Sequence, residues 1–331
     1  MLVALAGGVG AARLLSGLVQ VVDPSEVVAV VNTGDDFEIH GLRVSPDIDT
    51  VTYTLAGVYN PETGWGLAGE SWRVMESLEQ LGGETWFRLG DQDLATHLYR
   101  TARLSEGATL GEVTAELSAR FGLRLPILPM SDDPVRTILT VTGGPPGELP
   151  AGPGSGNGLP RGGGSREIAF QDYFVRLSHS VPVERVRFDG ADRARPGPGV
   201  LEALTGAERI IICPSNPILS IGPILALPEI AEVMRRRRDD AIAVSPIVGG
   251  AALKGPADRL LRELGFEASV VGVARAYADF AATLVIDEVD VALAAEVEAI
   301  GMRTLVVGTV MSTPERARAL AAQLVPGPAR L

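Results

Sequence analysis

The sequence predicts an α/β fold: a Rossmann-like parallel sheet wound on both faces, with a helical insertion and a flexible Gly/Pro-rich loop. Three observations predict it. Short aliphatic runs alternate with amphipathic stretches of helical length in the first and last thirds of the chain, as they do where crossover helices join parallel strands. The first run leads directly into Gly7-Gly8-Val9-Gly10, the kind of strand-to-helix turn that lets backbone amides approach a phosphate. Between the two alternating regions, Gly143–Ser165 holds 15 Gly or Pro among 23 residues, too little apolar surface to offset the entropy of ordering it.

Taken in order, Leu2–Ala6 and Val27–Val31 read as strands, with Ala11–Val19 as the helix between them. Val51–Leu81 reads as mostly helical, followed by amphipathic helices over Asp91–Leu104 and Leu110–Phe121, the latter stopped by Gly122. The last third alternates strand Arg209–Cys213, helix Glu229–Arg237, strand Ala241–Val244 and helix Asp258–Leu264. Strand Thr283–Ile286, helix Val291–Ile300, strand Arg303–Val307 and helix Pro314–Leu324 complete the pattern. Neither flank of the Gly/Pro-rich stretch has strands enough for a sheet of its own. The expectation is therefore one domain over 1–331, with a flexible insertion at 143–165.

Composition narrows the partners. With 29 basic against 41 acidic residues the net charge is −12, which repels nucleic-acid backbones and anionic membranes. The single cysteine, Cys213, excludes an internal disulfide and fits a reducing compartment. Leu2–Val9 is apolar but lacks a basic leader and is soon followed by Arg13, so it reads as a strand and not as a signal peptide. No run of 18 apolar residues free of Gly, Pro and charge occurs, so no membrane span is expected. A cytoplasmic protein acting on small molecules is the expectation.

The chemistry is concentrated after the second strand. Asn32-Thr33-Gly34-Asp35-Asp36 and Pro46-Asp47-Ile48-Asp49-Thr50 place four carboxylates beside the glycine turn. Aspartates near a phosphate-binding turn suit a hard divalent cation, and Asp35 and Asp36 are the candidate Mg²⁺ ligands. The competing reading is that Asp49 or Thr50 merely caps a helix starting near Val51. A dinucleotide site is disfavoured, because the third fingerprint glycine is replaced by Arg13 and the ribose-binding acid by Asn32. Gly7, Gly8, Gly10 and Asn32 are instead the candidate phosphate- and nucleotide-binding set.

Two further segments carry polar groups. In Arg88-Leu89-Gly90-Asp91-Gln92-Asp93 and the following His97, Asp93 and His97 share a helix face, Asp91 reads as the helix cap, and Arg88 is placed to fork to a phosphate. In Cys213-Pro214-Ser215-Asn216-Pro217, Ser215 and Asn216 either read a nucleotide or cap a rigid turn. Cys213 reads as a buried, inert thiol. Arg235–Arg238 reads as a solvated helix end. Neither a Ser-His-Asp triad nor a zinc site is legible.

These motifs, with His40-Gly41-Leu42-Arg43-Val44-Ser45, Thr96-His97, Ile218-Leu219-Ser220-Ile221-Gly222-Pro223-Ile224-Leu225 and Ser245-Pro246-Ile247-Val248-Gly249-Gly250, closely resemble the 2-phospho-L-lactate transferases of coenzyme F-420 biosynthesis and their phosphoenolpyruvate-transferring relatives. The resemblance implies a Mg²⁺-dependent transfer from a guanosine diphosphate-linked three-carbon acid to the ribityl hydroxyl of the 5-deazariboflavin Fo, releasing GMP. It implies Asp35 as a metal ligand, Asp49 and Arg88 as acceptor contacts, and a homodimer. Asp49 is also the first choice for the residue that orients or deprotonates the hydroxyl. A nucleotide-sugar-binding regulatory protein of related fold is the alternative. Which unit is transferred (lactyl, enolpyruvyl or glyceryl) is not legible; a composition rich in Arg and Gly favours enolpyruvyl by analogy.

Overall fold

The computed structural model describes residues 1–142, 164–253, 255 and 257–325. Seven parallel strands form the central sheet: β1 (Leu2–Ala6), β2 (Val27–Val31), β3 (Ile127–Pro129), β4 (Arg209–Ile212), β5 (Ala241–Val244), β6 (Thr283–Ile286) and β7 (Arg303–Val306). Their order is β7-β6-β5-β4-β1-β2-β3, with every neighbouring pair parallel. The order reverses at β1, and the boundary between β1 and β4 is the point where open sheets of this kind bind ligands.

Apart from Arg209, Thr283, Arg303 and Thr304 at or near strand starts, the strands are apolar because both faces are covered. Val3, Leu5, Val28 and Val30 enter one core with Ile230, Met234, Val271 and Tyr277. Leu2, Ala4, Ala6, Val27, Ala29 and Val31 enter the other, with Leu14, Leu15, Leu18, Ile48 and Leu320. Alternate residues of one strand thus feed opposite layers, as the period of two requires. On the second face, helix α1 (Gly8–Leu18) packs against α2 (Pro46–Leu55) and against Pro314–Leu324.

The helical insertion lies between β2 and β3 and comprises α2, α3 (Arg73–Gln80), α4 (Asp93–Ser105) and α5 (Leu110–Arg120). Helix α5 opens with a full capping box between Thr109 and Glu112. Three expectations need correction here. Helix α1 begins at Gly8 and not at Ala11, so the glycine turn is the first turn of the helix. Helix α2 begins at Pro46, the favoured first position for proline, so Asp49 sits inside the first turn. The stretch expected to be helical to Leu81 is broken after Leu55, because Gly57, Gly64, Gly66 and Gly69 all adopt positive φ, which the right-handed helix excludes.

Three small sheets were not anticipated, the smallest a hairpin of Ile247–Val248 with Ala251–Ala252. Phe37–Ile39 and Leu42–Val44 pair as an antiparallel hairpin. Arg136–Thr142 is flanked by Ser165–Ala169 and Val183–Asp189 in a three-stranded antiparallel sheet. The expected flexible insertion at 143–165 lies outside the described residues over 143–163. Its last residue, Ser165, pairs with Thr142 and opens a strand. Among the described residues, no helix is long and apolar enough to cross a membrane.

Candidate functional site

The site forms at the carboxyl ends of β1, β2 and β4. Gly10 lies so close to the loop after β4 that a Cβ there would stand 2.1 Å from the Pro214 carbonyl oxygen; only glycine lets α1 meet that loop backbone to backbone. Ser215 Oγ donates to the Gly7 carbonyl at 2.7 Å, joining the two loops. Asn216 Oδ1 accepts from the Ile218 and Leu219 amides at 2.9 and 3.1 Å. The two polar groups expected to read a nucleotide therefore build the turn itself.

Asn32, fully buried, organises the acidic turn. Its Oδ1 accepts from the Gly34 amide at 2.8 Å, and its Nδ2 donates to Asp47 Oδ2 at 2.9 Å. An aspartate here would set a second carboxylate against Asp47, which is the physical reason this chain has a carboxamide where a dinucleotide site has an acid. Asp47 also accepts a hydrogen bond from the Gly8 amide at the start of α1. A Cβ on Gly7 would lie 2.7 Å from Asp47 Oδ2, so Asp47 reaches into the glycine turn and supplies the cap that Gly7 lacks.

Asp35 and Asp36 follow. Asp35 is buried, and its Oδ1 has no hydrogen-bond partner. Burial first, then the nearby Asp47 and Asp36 carboxylates, push its proton affinity well above the usual range, against the opposing pull of Asn32 and Thr137. Asp36 accepts from Ser45 Oγ at 2.6 Å through Oδ2, while its Oδ1 is shut off from solvent and unpaired. Burial likewise raises it, and Ser45 and Arg100 pull the other way. Two unpaired carboxylate oxygens on adjacent residues fit a hard cation. Among the described residues no three His, Cys, Asp or Glu side chains converge as a preformed cage. Mg²⁺ does not require one, because it characteristically takes one or two carboxylates and completes its shell with water and substrate phosphate.

Asp49 lies inside the first turn of α2. It is buried, and both its oxygens accept from Arg100 on α4, Oδ2 from Nη1 at 3.1 Å and Oδ1 from Nη2. It is not a helix cap. Around this pair, His97 Nδ1 lies 3.2 Å from Arg100 Nη1 and 3.8 Å from Asp49 Oδ2. Asp93 Oδ1 accepts from the Tyr53 hydroxyl at 2.6 Å. Burial works against the Asp93 charge, but His97 and Tyr53 outweigh it and leave its carboxyl below the usual range.

Arg88 is exposed, with its guanidinium 4.4 Å from the centre of the Trp72 ring; among the described residues no hydrogen bond or ion pair ties it to the acidic turn. Asp91, expected to cap α4, caps α3 instead, accepting from Ser71 Oγ at 2.6 Å and from the Arg73 and Val74 amides. Glu70 takes its place at α4, accepting from the Gln92 and Asp93 amides at 2.8 Å. The two carboxylates cap each other's neighbouring helix. Cys213 is buried, and burial pushes its thiol far up, leaving it inert.

A glycine turn at the sheet reversal, faced by unpaired carboxylates, is an arrangement suited to a phosphate group, and comparison with known proteins supplies the family. The family model for 2-phospho-L-lactate transferase CofD matches residues 2–306. The chain belongs to that family. It is 41% identical over 317 residues to a phosphoenolpyruvate transferase of Kitasatospora aureofaciens, covering 95% of this chain and 93% of that one. It is 36% identical to a 2-phospho-L-lactate transferase of Methanosarcina mazei, covering 97% and 98%. The fold alone is shared with a crystal structure of a UPF0052 family protein from Bacillus halodurans, at 17% identity, a TM-score of 0.57 and 98% coverage of each chain.

Within this CofD family frame, three contributors escape sequence reasoning. Arg100 and Tyr53 lie on helix faces that read as core-facing or neutral. Gln171, at the exit of the strand Ser165–Ala169, reaches the Asp35 carbonyl with its Nε2 at 3.3 Å. The antiparallel sheet touches the acidic turn again where the Thr137 amide donates to the Gly34 carbonyl at 2.8 Å.

The raised Asp47 carboxyl makes a stability prediction. Burial moves it from 3.8 to about 6, against the pull of Asn32 and Gly8. The folded protein therefore binds this proton more tightly than the unfolded chain. Its contribution is fully present below the unfolded value and is lost as pH rises through about 6. In metal-free buffer, wild type should gain about 1 kcal/mol over Asp47→Asn between pH 7 and pH 5. Urea unfolding at both pH values reads it; parallel pH profiles for the two proteins would contradict it.

Proposed function

We propose that this transferase acts in coenzyme F-420 biosynthesis, moving a phosphoenolpyruvyl or phospholactyl unit from a guanosine diphosphate-linked donor to the ribityl hydroxyl of Fo and releasing GMP. The observation that carries the reading is the pair of unpaired oxygens of Asp35 and Asp36 beside the α1 N-terminus at the β1/β4 boundary. The names of the relatives support it, and the phosphoenolpyruvate transferase at 41% identity favours enolpyruvyl as the transferred unit.

Asp35 and Asp36 would hold Mg²⁺, which supplies neutralisation of the charge developing on the donor diphosphate. The remaining work falls to the chain. Gly7, Gly8 and Gly10 add no side chain of their own to the first turn of α1; Asp47 takes the Gly8 amide, and the remaining amides of the turn would face a phosphate. Asn32 fixes the turn that aims the acids, and Ser215 and Asn216 set the opposite wall. Asp49 keeps a free lone pair on each oxygen beyond those used by Arg100, enough to accept from the acceptor hydroxyl and orient it for in-line attack on phosphorus. Arg88, lying over Trp72, offers an exposed cation beside an aromatic face to a planar acceptor. Phosphoryl-type transfer needs little more than such positioning and charge stabilisation. The reading includes one transferase domain acting as a cytoplasmic homodimer.

Titrating purified protein into Fo tests the acceptor. The deazaflavin fluorescence should shift saturably. An unchanged spectrum alongside tight binding of a nucleotide sugar would overturn the proposal and favour a regulatory binding protein.

A further inference from the structure

Arg100 is the one buried arginine among the described residues, 1% exposed, and it stands behind the acidic turn. Besides its two bonds to Asp49, its Nη1 donates to the Arg43 carbonyl at 3.4 Å. The next residue, Thr101, accepts from the Arg43 amide through Oγ1 at 2.8 Å. One turn of α4 therefore holds both the returning strand of the hairpin and the first turn of α2. The segment so held is the one that joins Asp36 to Asp47.

The guanidinium is itself fixed in direction. It has donors only, so His97 Nδ1, 3.2 Å from Nη1, must accept. That places the ring proton on Nε2, which lies 3.4 Å from Asp93 Oδ2, in contact but without a hydrogen bond. Asp93 in turn accepts from Tyr53 on α2. The chain Arg100 to His97 to Asp93, closed by Tyr53, returns to the helix that carries Asp49. A buried ion pair is weak support for stability, since apolar residues of similar volume often serve as well. Arg100 leaves its own Nε unpaired while both Nη atoms serve Asp49, which is explained better by the geometry imposed on that carboxylate.

We propose that Arg100 is a positioning residue of the transfer site, fixing the Asp49 carboxylate at the angle at which it meets the acceptor hydroxyl; this rests on the acceptor assignment above. Lysine keeps the charge but has no planar fork, so it should preserve the fold and lose the alignment. Lysine also keeps the positive charge that Arg100 sets against Asp36, so the donor side should be spared.

The test compares wild type, Arg100→Lys, Arg100→Met and, as a control on the same helix, Arg103→Met, which loses only the pairs to Glu106 and Glu116. Fo affinity by fluorescence, kcat, the donor KM and the melting temperature are measured for each. Arg100→Lys should weaken Fo binding and lower kcat by about tenfold each, with the donor KM within about twofold of wild type. Arg103→Met should leave Fo affinity and both kinetic constants unchanged, and Arg100→Lys decides the matter whether or not Arg100→Met folds. A folded Arg100→Lys with wild-type Fo affinity and kcat would overturn the proposal. So would equal losses on the Fo and donor sides, the mark of general loosening. A wild-type protein that neither binds Fo nor turns over would instead overturn the acceptor assignment, and the role of Arg100 with it.

Discussion

Replacing Asp35 with Asn is expected to lower turnover by about a thousandfold, roughly 4 kcal/mol of barrier, while raising the melting temperature of the metal-free protein. The two effects have one origin. Asp35 is buried, has an unpaired oxygen, and faces Asp47 and Asp36, so its charged form is a burden on the fold that a bound cation, or a proton, relieves. Asparagine removes the burden and the ligand together. Activity across a Mg²⁺ titration and thermal unfolding without metal are the measurements. Near wild-type turnover would remove Asp35 from the metal site, and a stability loss parallel to the activity loss would make it a structural residue.

Asp49→Ala should cost about 3–5 kcal/mol of stability, because it leaves the Arg100 guanidinium buried without its counter-charge. Loss of a helix cap would cost only about 1 kcal/mol, so unfolding in urea separates the two accounts. Replacing both partners, Asp49→Asn with Arg100→Met, should recover much of the loss, since no charge is then stranded. A single-variant cost near 1 kcal/mol, or a double variant no better than the single, would show that the buried pair does not bind the two helices as described.

Six strands of the central sheet were legible because both its faces are buried, which makes each a short apolar run; the seventh, Ile127–Pro129, is a three-residue edge strand ending in proline and was not anticipated. Strand Arg136–Thr142, with its alternating burial, carried the ordinary signal of a half-covered strand, but its neighbour lies beyond the Gly/Pro-rich stretch and the pairing does not show in local pattern. The hairpin at Phe37–Val44 has strands of three residues and turns at His40 and Gly41, both at positive φ; so short an element leaves almost no periodicity to read. Helix α4 misleads in a different way. Its buried face is Thr96, His97 and Arg100, while Leu98 is 58% exposed. Hydropathy assumes that a helix turns its apolar side inward, and this one turns its polar side toward a carboxylate cluster. The acidic residues themselves were legible by spacing. Their division of labour was not, because whether Asp47 caps α1 or Asp49 pairs with a buried arginine depends on contacts between residues distant in sequence.

The most direct measurement incubates the protein with Fo, Mg²⁺ and, in separate reactions, the guanosine diphosphate-linked enolpyruvyl, lactyl and glyceryl donors, and follows the products by mass spectrometry. The account predicts a new species with the mass of Fo joined through a phosphodiester to the three-carbon acid, one GMP released per product formed, fastest with the enolpyruvyl donor and absent in Asp35→Asn. Intact Fo and intact donor in every reaction, from protein shown to be folded, would contradict it.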